Sequence, residues 1–490
     1  MADQFALAKL KAGGRAWIVL ACSMWAMAGC SGSEDTTATA AQLRIGTPAS
    51  IAQASDYDYN NNVNGIITGA TLKRWKDDWL GQRPAGVTGK LVVLQVTKGP
   101  EAAEYIKPNN RNVFTYLVPT ADWIQTRSNG VILTESMVPD GPTMDALLKK
   151  HNIDPTQDMV VCALGTGSTG NAMAQGRCWY ALRYWGMPAK QLAILNGSND
   201  WQVTSGVMAA TDFAAATSSP PNTGTVSVRD LTEENTALQA TLQDLMAVLP
   251  ASNNNAPNDG VFIWDARSID QFSAGEIDEA GNMPAKFTCA SGDYMCSFQN
   301  NGSRQGHPTG SLQLNFTNML LATEGFRYKN KADIEHYFNG GADAAGRGFV
   351  DGTYAKVGAG NAVQPNDIVY SFCETTFRAM ITGVASAVIM GKPTRFYDGA
   401  MVEWNSLSHL MDASGNFILP ADSPWRTDVR SYFRPAANPS LVAQRIINDP
   451  YATHTNAIVL ADRAYKAGTS VSGSGGGGAG AVLPPNPCGG

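Results

Sequence analysis

The sequence predicts an α/β protein made of two similar halves, each a mainly parallel sheet with helices on both faces, followed by an irregular C-terminal extension. Three observations carry that expectation. Short apolar runs of buried-strand type alternate with longer helical segments. The alternation occurs twice, as a weak internal repeat. Beyond residue 411 the repeat ends, and Pro, Trp and Arg become frequent.

In the first half, residues 91–96 and 159–162 are continuous apolar runs, as expected of strands buried on both faces. Residues 143–150 and 176–185 read as helices, and 192–195 as a closing strand. In the second half, residues 261–264, 368–372 and 394–397 repeat the strands, and 231–249 and 377–390 read as helices. The turn after the closing strand repeats too: Leu195, Asn196, Gly197 and Trp201 align with Tyr397, Asp398, Gly399 and Trp404. The halves occupy residues 56–219 and 227–411, and the Ser/Pro/Thr-rich stretch 216–226 joins them. Residues 412–467 form the extension, with a helix near 460–465, and 468–490 are a Gly/Ser-rich flexible tail.

The 490 residues are 44% hydrophobic and 16% charged, which excludes collagen-like, coiled-coil and wholly disordered classes. A formal charge of -6 and the absence of a Lys/Arg block argue against nucleic-acid binding. Lys9, Lys11 and Arg15 precede a short apolar run that ends in Met27, Ala28, Gly29 and Cys30. This resembles the lipobox of bacterial lipoproteins. It implies a signal peptide over 1–29, lipidation of Cys30 and a tether over 30–55. Ser31 after the lipidated Cys implies sorting to the outer membrane, so the expected location is the cell envelope, with a membrane partner through the lipid anchor. Export places the remaining cysteines in an oxidising compartment. Cys289 and Cys296, seven positions apart, are expected to form a disulfide, and Cys162 and Cys178 to be buried thiols. With no CxxC and no CxxCH, neither a metal nor haem is expected.

The chemistry centres on Cys373. An apolar strand delivers this Cys to its carboxyl end, and a helix begins a few residues later. Open α/β sheets place active sites at that end of their strands. Backbone N–H groups of the turn and the helix N-terminus favour the thiolate, the nucleophilic form. Arg378 adds a nearby positive charge.

Here the chain resembles the two-domain rhodanese (thiosulfate sulfurtransferase) family, over roughly residues 60–411. Asp265 and Arg267, with Phe272 and Gly275, are similar to the family's first strand and its Asp-x-Arg. Residues 306–311 around His307 are similar to its Gly-His-Ile-Pro-Gly-Ala turn, with Pro308 and Thr309 in place of Ile-Pro. Cys373 to Arg378 matches the active-site loop, and residues 397–404 the closing strand and turn. The resemblance implies Cys373 as catalytic nucleophile, Glu374, Thr375, Thr376, Phe377 and Arg378 as the substrate-binding loop, and Asp265, Arg267 and His307 as loop support. The first half has Gln95 and Thr97 where the second has Asp265 and Arg267, and a Gly-rich loop without a Cys at its first position. It is expected to be an inactive rhodanese-like domain beside a catalytic one. The Cys-x4-Arg spacing is one residue shorter than the related phosphatase loops and disfavours phosphatase chemistry. Thr376 stands where the family often has Gly, and a β-branched residue resists positive φ.

The implied activity is sulfur transfer. A sulfane sulfur passes from thiosulfate or a similar small donor, through a persulfide on Cys373, to a thiol, sulfite or cyanide acceptor, with no cofactor. Glu374 beside the nucleophile is expected to oppose a dianionic donor if it faces the pocket, and to be neutral if it faces solvent. The rival expectation is a non-catalytic rhodanese-like scaffold, or an accessory lipoprotein of an outer-membrane electron-transfer or oxyanion-reduction system. It draws on the long insertion at 277–305 and on an extension that offers a surface for a protein partner.

Overall fold

The computed structural model describes residues 43–255, 257–274, 276–277, 306–407, 419–433 and 446–469. The leader, Cys30, the Cys289 and Cys296 pair and the tail lie outside the described residues. Among the described residues, no helix is long and apolar enough to cross a membrane.

Two five-stranded parallel sheets form the frame. The first contains β1 (Gly65–Ile67), β2 (Leu91–Gln95), β3 (Val113–Leu117), β4 (Met159–Ala163) and β5 (Leu192–Leu195). The second contains β6 (Gln239–Ala240), β7 (Val261–Asp265), β9 (Leu312–Gln313), β10 (Ile368–Phe372) and β11 (Thr394–Tyr397), while β8 (Gly306–Pro308) lies outside it. Spatial order is β1-β5-β4-β2-β3 in one and β6-β11-β10-β7-β9 in the other. In chain rank both read first, fifth, fourth, second, third, so the weak sequence repeat is a repeat of topology.

Side chains alternate across each strand as a period of two requires. In β2, Val92 and Leu94 enter one core and Leu91 and Val93 another. In β7, Phe262 and Trp264 join the same central core as Val92, whereas Ile263 packs on the far face. The central core is therefore shared by both halves. Two helices fill it, α1 (Thr169–Tyr184) and α2 (Phe377–Val384). Gly176 permits their approach, since a Cβ there would lie 2.8 Å from Met380 Cβ and 3.1 Å from its carbonyl oxygen.

Two sequence expectations need correction. Residues 231–249 are not one helix. A 3-10 turn (Thr236–Leu238) leads into β6, and a helix (Leu242–Val248) starts only after Thr241. Thr241 and Asp244 form a capping box that restarts the chain there. Cys162 and Cys178 are not thiols but a disulfide, which ties β4 to α1.

The described parts of the extension pack on the body. Leu419 and Trp425 enter the outer core of the second sheet. The strand β12 (Ser431–Phe433) pairs antiparallel with β8, setting Tyr432 opposite His307. Residues 446–469 cross to the first half, where the helix α4 (Ala457–Lys466) docks through buried Asp462 on Arg127, at 2.7 and 2.8 Å. The helix α3 (Ala400–Ser406) lies between α2 and α4 in sequence and follows the turn after β11.

Candidate active site

The strand β10 lies between β7 and β11, and its chain ends at the carboxyl edge in Cys373. Asp265 pairs with Phe372, so the carboxyl ends of β7 and β10 lie side by side. That register brings Asp265 and Arg267 against the Cys373 loop from 107 residues away. In the first sheet Gln95 pairs with Ala163, which puts Leu164 where the second half has Cys373. Gln95 there ties the Thr97 and Glu104 carbonyls at 2.8 and 2.7 Å instead of holding an arginine.

Cys373 is fully buried, as are Glu374, Thr375 and Thr376 to within 1%. The carbonyls of Cys373 and Glu374 accept hydrogen bonds from Met401 and Val402 N–H, both at 3.0 Å. They cap the first turn of α3, whose N-cap Gly399 has no side chain to do so. In a trans peptide the N–H points opposite to the C=O. The amides of Glu374 and Thr375 are thus directed away from α3. Thr376 closes the loop in the left-handed region, at φ 65 and ψ -5, as N-cap of α2. Its hydroxyl lies 2.8 Å from Asp398 O and 3.0 Å from Tyr397 O, and shares its one proton between them. The Thr375 hydroxyl is buried without a hydrogen-bond partner.

Beneath the loop is a charged network with no exposure. Arg267 makes a bidentate pair with Asp265, with Nη2 at 2.7 Å and Nε at 3.0 Å. Its Nη1 donates to Glu374 at 3.1 Å, and its Nη2 to the Gly306 carbonyl at 2.5 Å. Gln271 reaches Glu374 at 3.5 Å and accepts from Arg378 Nη1 at 2.5 Å. Glu374 therefore does not face solvent. Arg267 is shared between Glu374 and Asp265, so it offsets only part of the repulsion expected toward an anionic donor.

His307 is buried and stacked between Phe272, at 3.7 Å between ring centroids, and Tyr432, at 5.2 Å. Nδ1 lies 2.7 Å from the Phe272 carbonyl oxygen and Nε2 2.9 Å from Asn253 Oδ1, and the single N–H of a neutral ring serves one of these two acceptors. Burial pushes its pKa down to about 4, so the ring is neutral at pH 7. Both ring nitrogens serve the fold, and neither is spare for proton transfer.

Sequence reasoning missed Gln271, Asn253, Arg177 and Asp398. Gln271 lies on a one-turn helix that starts two residues after Arg267, close enough in sequence to reach the same carboxylate. The others come from remote segments and carry no local signal. Among the described residues, no group of three or more His, Cys, Asp or Glu side chains is arranged to hold a metal.

No protein-family model matches the chain, and no curated protein does either. Solved structures do. The Tum1 protein of Saccharomyces cerevisiae is 14% identical with a TM-score of 0.44, over 70% of this chain and 95% of that one. SseA from Escherichia coli, described as a 3-mercaptopyruvate sulfotransferase of "rhodanese" fold, is 16% identical with a TM-score of 0.41, over 69% and 98%. The anaerobic ergothioneine biosynthesis enzyme of Chlorobium limicola is 13% identical with a TM-score of 0.43, over 70% and 68%.

Proposed function

We propose that this protein is a rhodanese-type sulfurtransferase that moves a sulfane sulfur through a persulfide on Cys373. One observation carries the reading: a cysteine ends the central strand of the second sheet, in a loop whose carbonyls are turned onto α3 while a buried Asp265–Arg267–Glu374 network braces it. The amides of Glu374 and Thr375 and the Thr375 hydroxyl are the donors nearest in sequence to a sulfur anion on Cys373.

In the first step the thiolate attacks the outer sulfur of thiosulfate. The S–S bond of the donor breaks, sulfite leaves with the electron pair, and Cys373 carries the persulfide. In the second step a thiol, sulfite or cyanide attacks the terminal sulfur, and the Cys373 thiolate leaves. Electrons and atoms balance without a cofactor. His307, neutral and doubly engaged, takes no part as a base.

The reading includes export and attachment to the outer membrane through Cys30. The charged, apolar, small-residue leader supports it, and so does the Cys162–Cys178 disulfide, a bond of oxidising compartments. Cys289 and Cys296 are assigned to a second disulfide. A second reading, a non-catalytic rhodanese-like body, is favoured by the complete burial of Cys373. Turnover separates the two. With thiosulfate and cyanide the enzyme releases sulfite and thiocyanate in equal amounts, and Cys373→Ser abolishes both. Release that persists in the Ser variant removes Cys373 from its role, and no release from the native chain with thiosulfate or mercaptopyruvate favours the non-catalytic body.

A further inference from the structure

The first half lacks the nucleophile, yet it holds one end of the Cys373 loop. Arg177 lies in α1 and is fully buried. Its Nη1 meets Asp398 Oδ1 at 2.5 Å and its Nη2 meets Oδ2 at 3.2 Å. The Nη2 also donates to the Ser136 carbonyl. Asp398 belongs to the second half, in the turn after β11, and its Oδ2 accepts the Val138 N–H of the first half at 2.7 Å. The backbone carbonyl of the same Asp398 takes the Thr376 hydroxyl.

One buried ion pair therefore joins two residues in left-handed backbone, Ser136 at φ 62 in the first half and Thr376 at φ 65 in the Cys373 loop. Neither residue type adopts that region without external restraint, and Thr, β-branched, resists it most. A buried carboxylate stays in place only with its cation. If Arg177 is lost, Asp398 is an unpaired buried charge and its turn must move. Thr376 then loses the nearer of its two acceptors and keeps Tyr397 O alone, and the φ that aims the amides before α2 is held less firmly.

We propose that Arg177 is a positioning residue for the Cys373 loop, supplied by the first half and acting through Asp398 and Thr376. The first half is then a part of the site rather than a spent copy of it. Only the kinetic readout below rests on the sulfurtransferase reading; the labelling readout does not.

The competing role for Arg177 is to join the two halves and nothing more. Glycine separates the roles, because it adopts positive φ freely. In the full chain, Arg177→Lys keeps the charge but loses the forked contact with Asp398 and Ser136. Asp398→Asn takes its place if the Lys variant does not fold. Each is made with and without Thr376→Gly. Two readouts are taken: the pH midpoint of Cys373 labelling by iodoacetamide, located by peptide mapping, and kcat and KM for thiosulfate. With Thr376 present, the midpoint should rise by about one pH unit, and kcat should fall by about tenfold to a hundredfold with little change in KM. In the Thr376→Gly background the same Arg177 or Asp398 change should cost less than about threefold. Equal losses in both backgrounds would overturn the proposal and leave Arg177 as a joint between halves. If the native chain transfers no sulfur but the labelling midpoint shifts and is rescued, the positioning role stands and the sulfurtransferase reading falls.

Discussion

Arg267 has two carboxylate partners, and Arg378 reaches the second of them through Gln271. Asp265, Arg267 and Glu374 are closed to water, whereas Arg378 is half-buried. Glu374→Gln removes the carboxylate that accepts from Arg267 Nη1. It is expected to lower stability by about 1–3 kcal/mol, read as a shifted urea midpoint. An unshifted midpoint contradicts the pairing. Two other buried groups set opposing pH dependences. His307 has its pKa lowered from 6.5 to about 4, so the unfolded chain binds the proton more tightly. Its contribution is present above pH 6.5 and is lost as pH falls toward 4. Burial raises Glu403 from 4.5 to about 7, although the Tyr397 hydroxyl and the Asn129 amide hydrogen-bond it at 2.6 and 2.5 Å. The native state then binds the extra proton, and the contribution of Glu403 is present below pH 4.5 and is lost as pH rises toward 7. Each effect is on the order of 3 kcal/mol, so they nearly cancel in the native chain. His307→Gln should leave a stability that falls from pH 4.5 to 7, and Glu403→Gln one that rises from pH 4 to 6.5. Denaturant midpoints across that range test both, and slopes of the opposite sign would contradict the assignments.

At the scale of elements, the strands were legible because a parallel strand covered on both faces is an unbroken apolar run. The runs at 91–96, 159–162, 368–372 and 394–397 became β2, β4, β10 and β11 with their ends within a residue or so. The helix expected over 231–249 is interrupted because Thr241 and Asp244 form a cap inside it, which outweighs the hydrophobic content of the stretch. The Cys162–Cys178 disulfide is hidden from the sequence for a different reason. Cys162 sits on a strand and Cys178 on the helix that returns across it, 16 positions later. Which turn of α1 faces β4 is a tertiary fact, and the 6.1 Å Cα separation cannot be seen in spacing. Closing a loop of that length should stabilise by about 3 kcal/mol in the chain-entropy view. A Cys162→Ala/Cys178→Ala double variant is expected to lose about that much, with Cys373 labelling altered as well because α1 packs on α2. A double variant as stable as the native chain would show that the bridge does not form.

At the scale of the whole molecule, the second half's Cys373 motif was readable because its residues cluster in short segments of recognisable order. What joins the halves was not. Arg177 and Asp398 are 221 positions apart, and Arg127 and Asp462 are 335 apart. Arg177 on an apolar helix looks like a surface residue until the turn after β11 is placed against it. The described part of the extension brings Asp462, Tyr465 and Lys466 onto the first half. Gly141 makes room for this, since a Cβ there would fall 2.0 Å from the Tyr465 ring. Asp462→Ala leaves the Arg127 guanidinium buried without its carboxylate. It is expected to cost about 3–5 kcal/mol and to open the C-terminal helix to protease before the rest of the chain. Global melting with no early cleavage of that helix would contradict the docking.

The central claim is that Cys373 carries sulfur. Its most direct test is peptide-level mass spectrometry of the full chain after brief mixing with thiosulfate, and separately with mercaptopyruvate, without reductant. The account predicts one added sulfur atom on the peptide holding Cys373, removed again by cyanide and absent in Cys373→Ser. A Cys373 peptide of unchanged mass with both donors, in a chain whose Cys373 still labels with iodoacetamide, would contradict it.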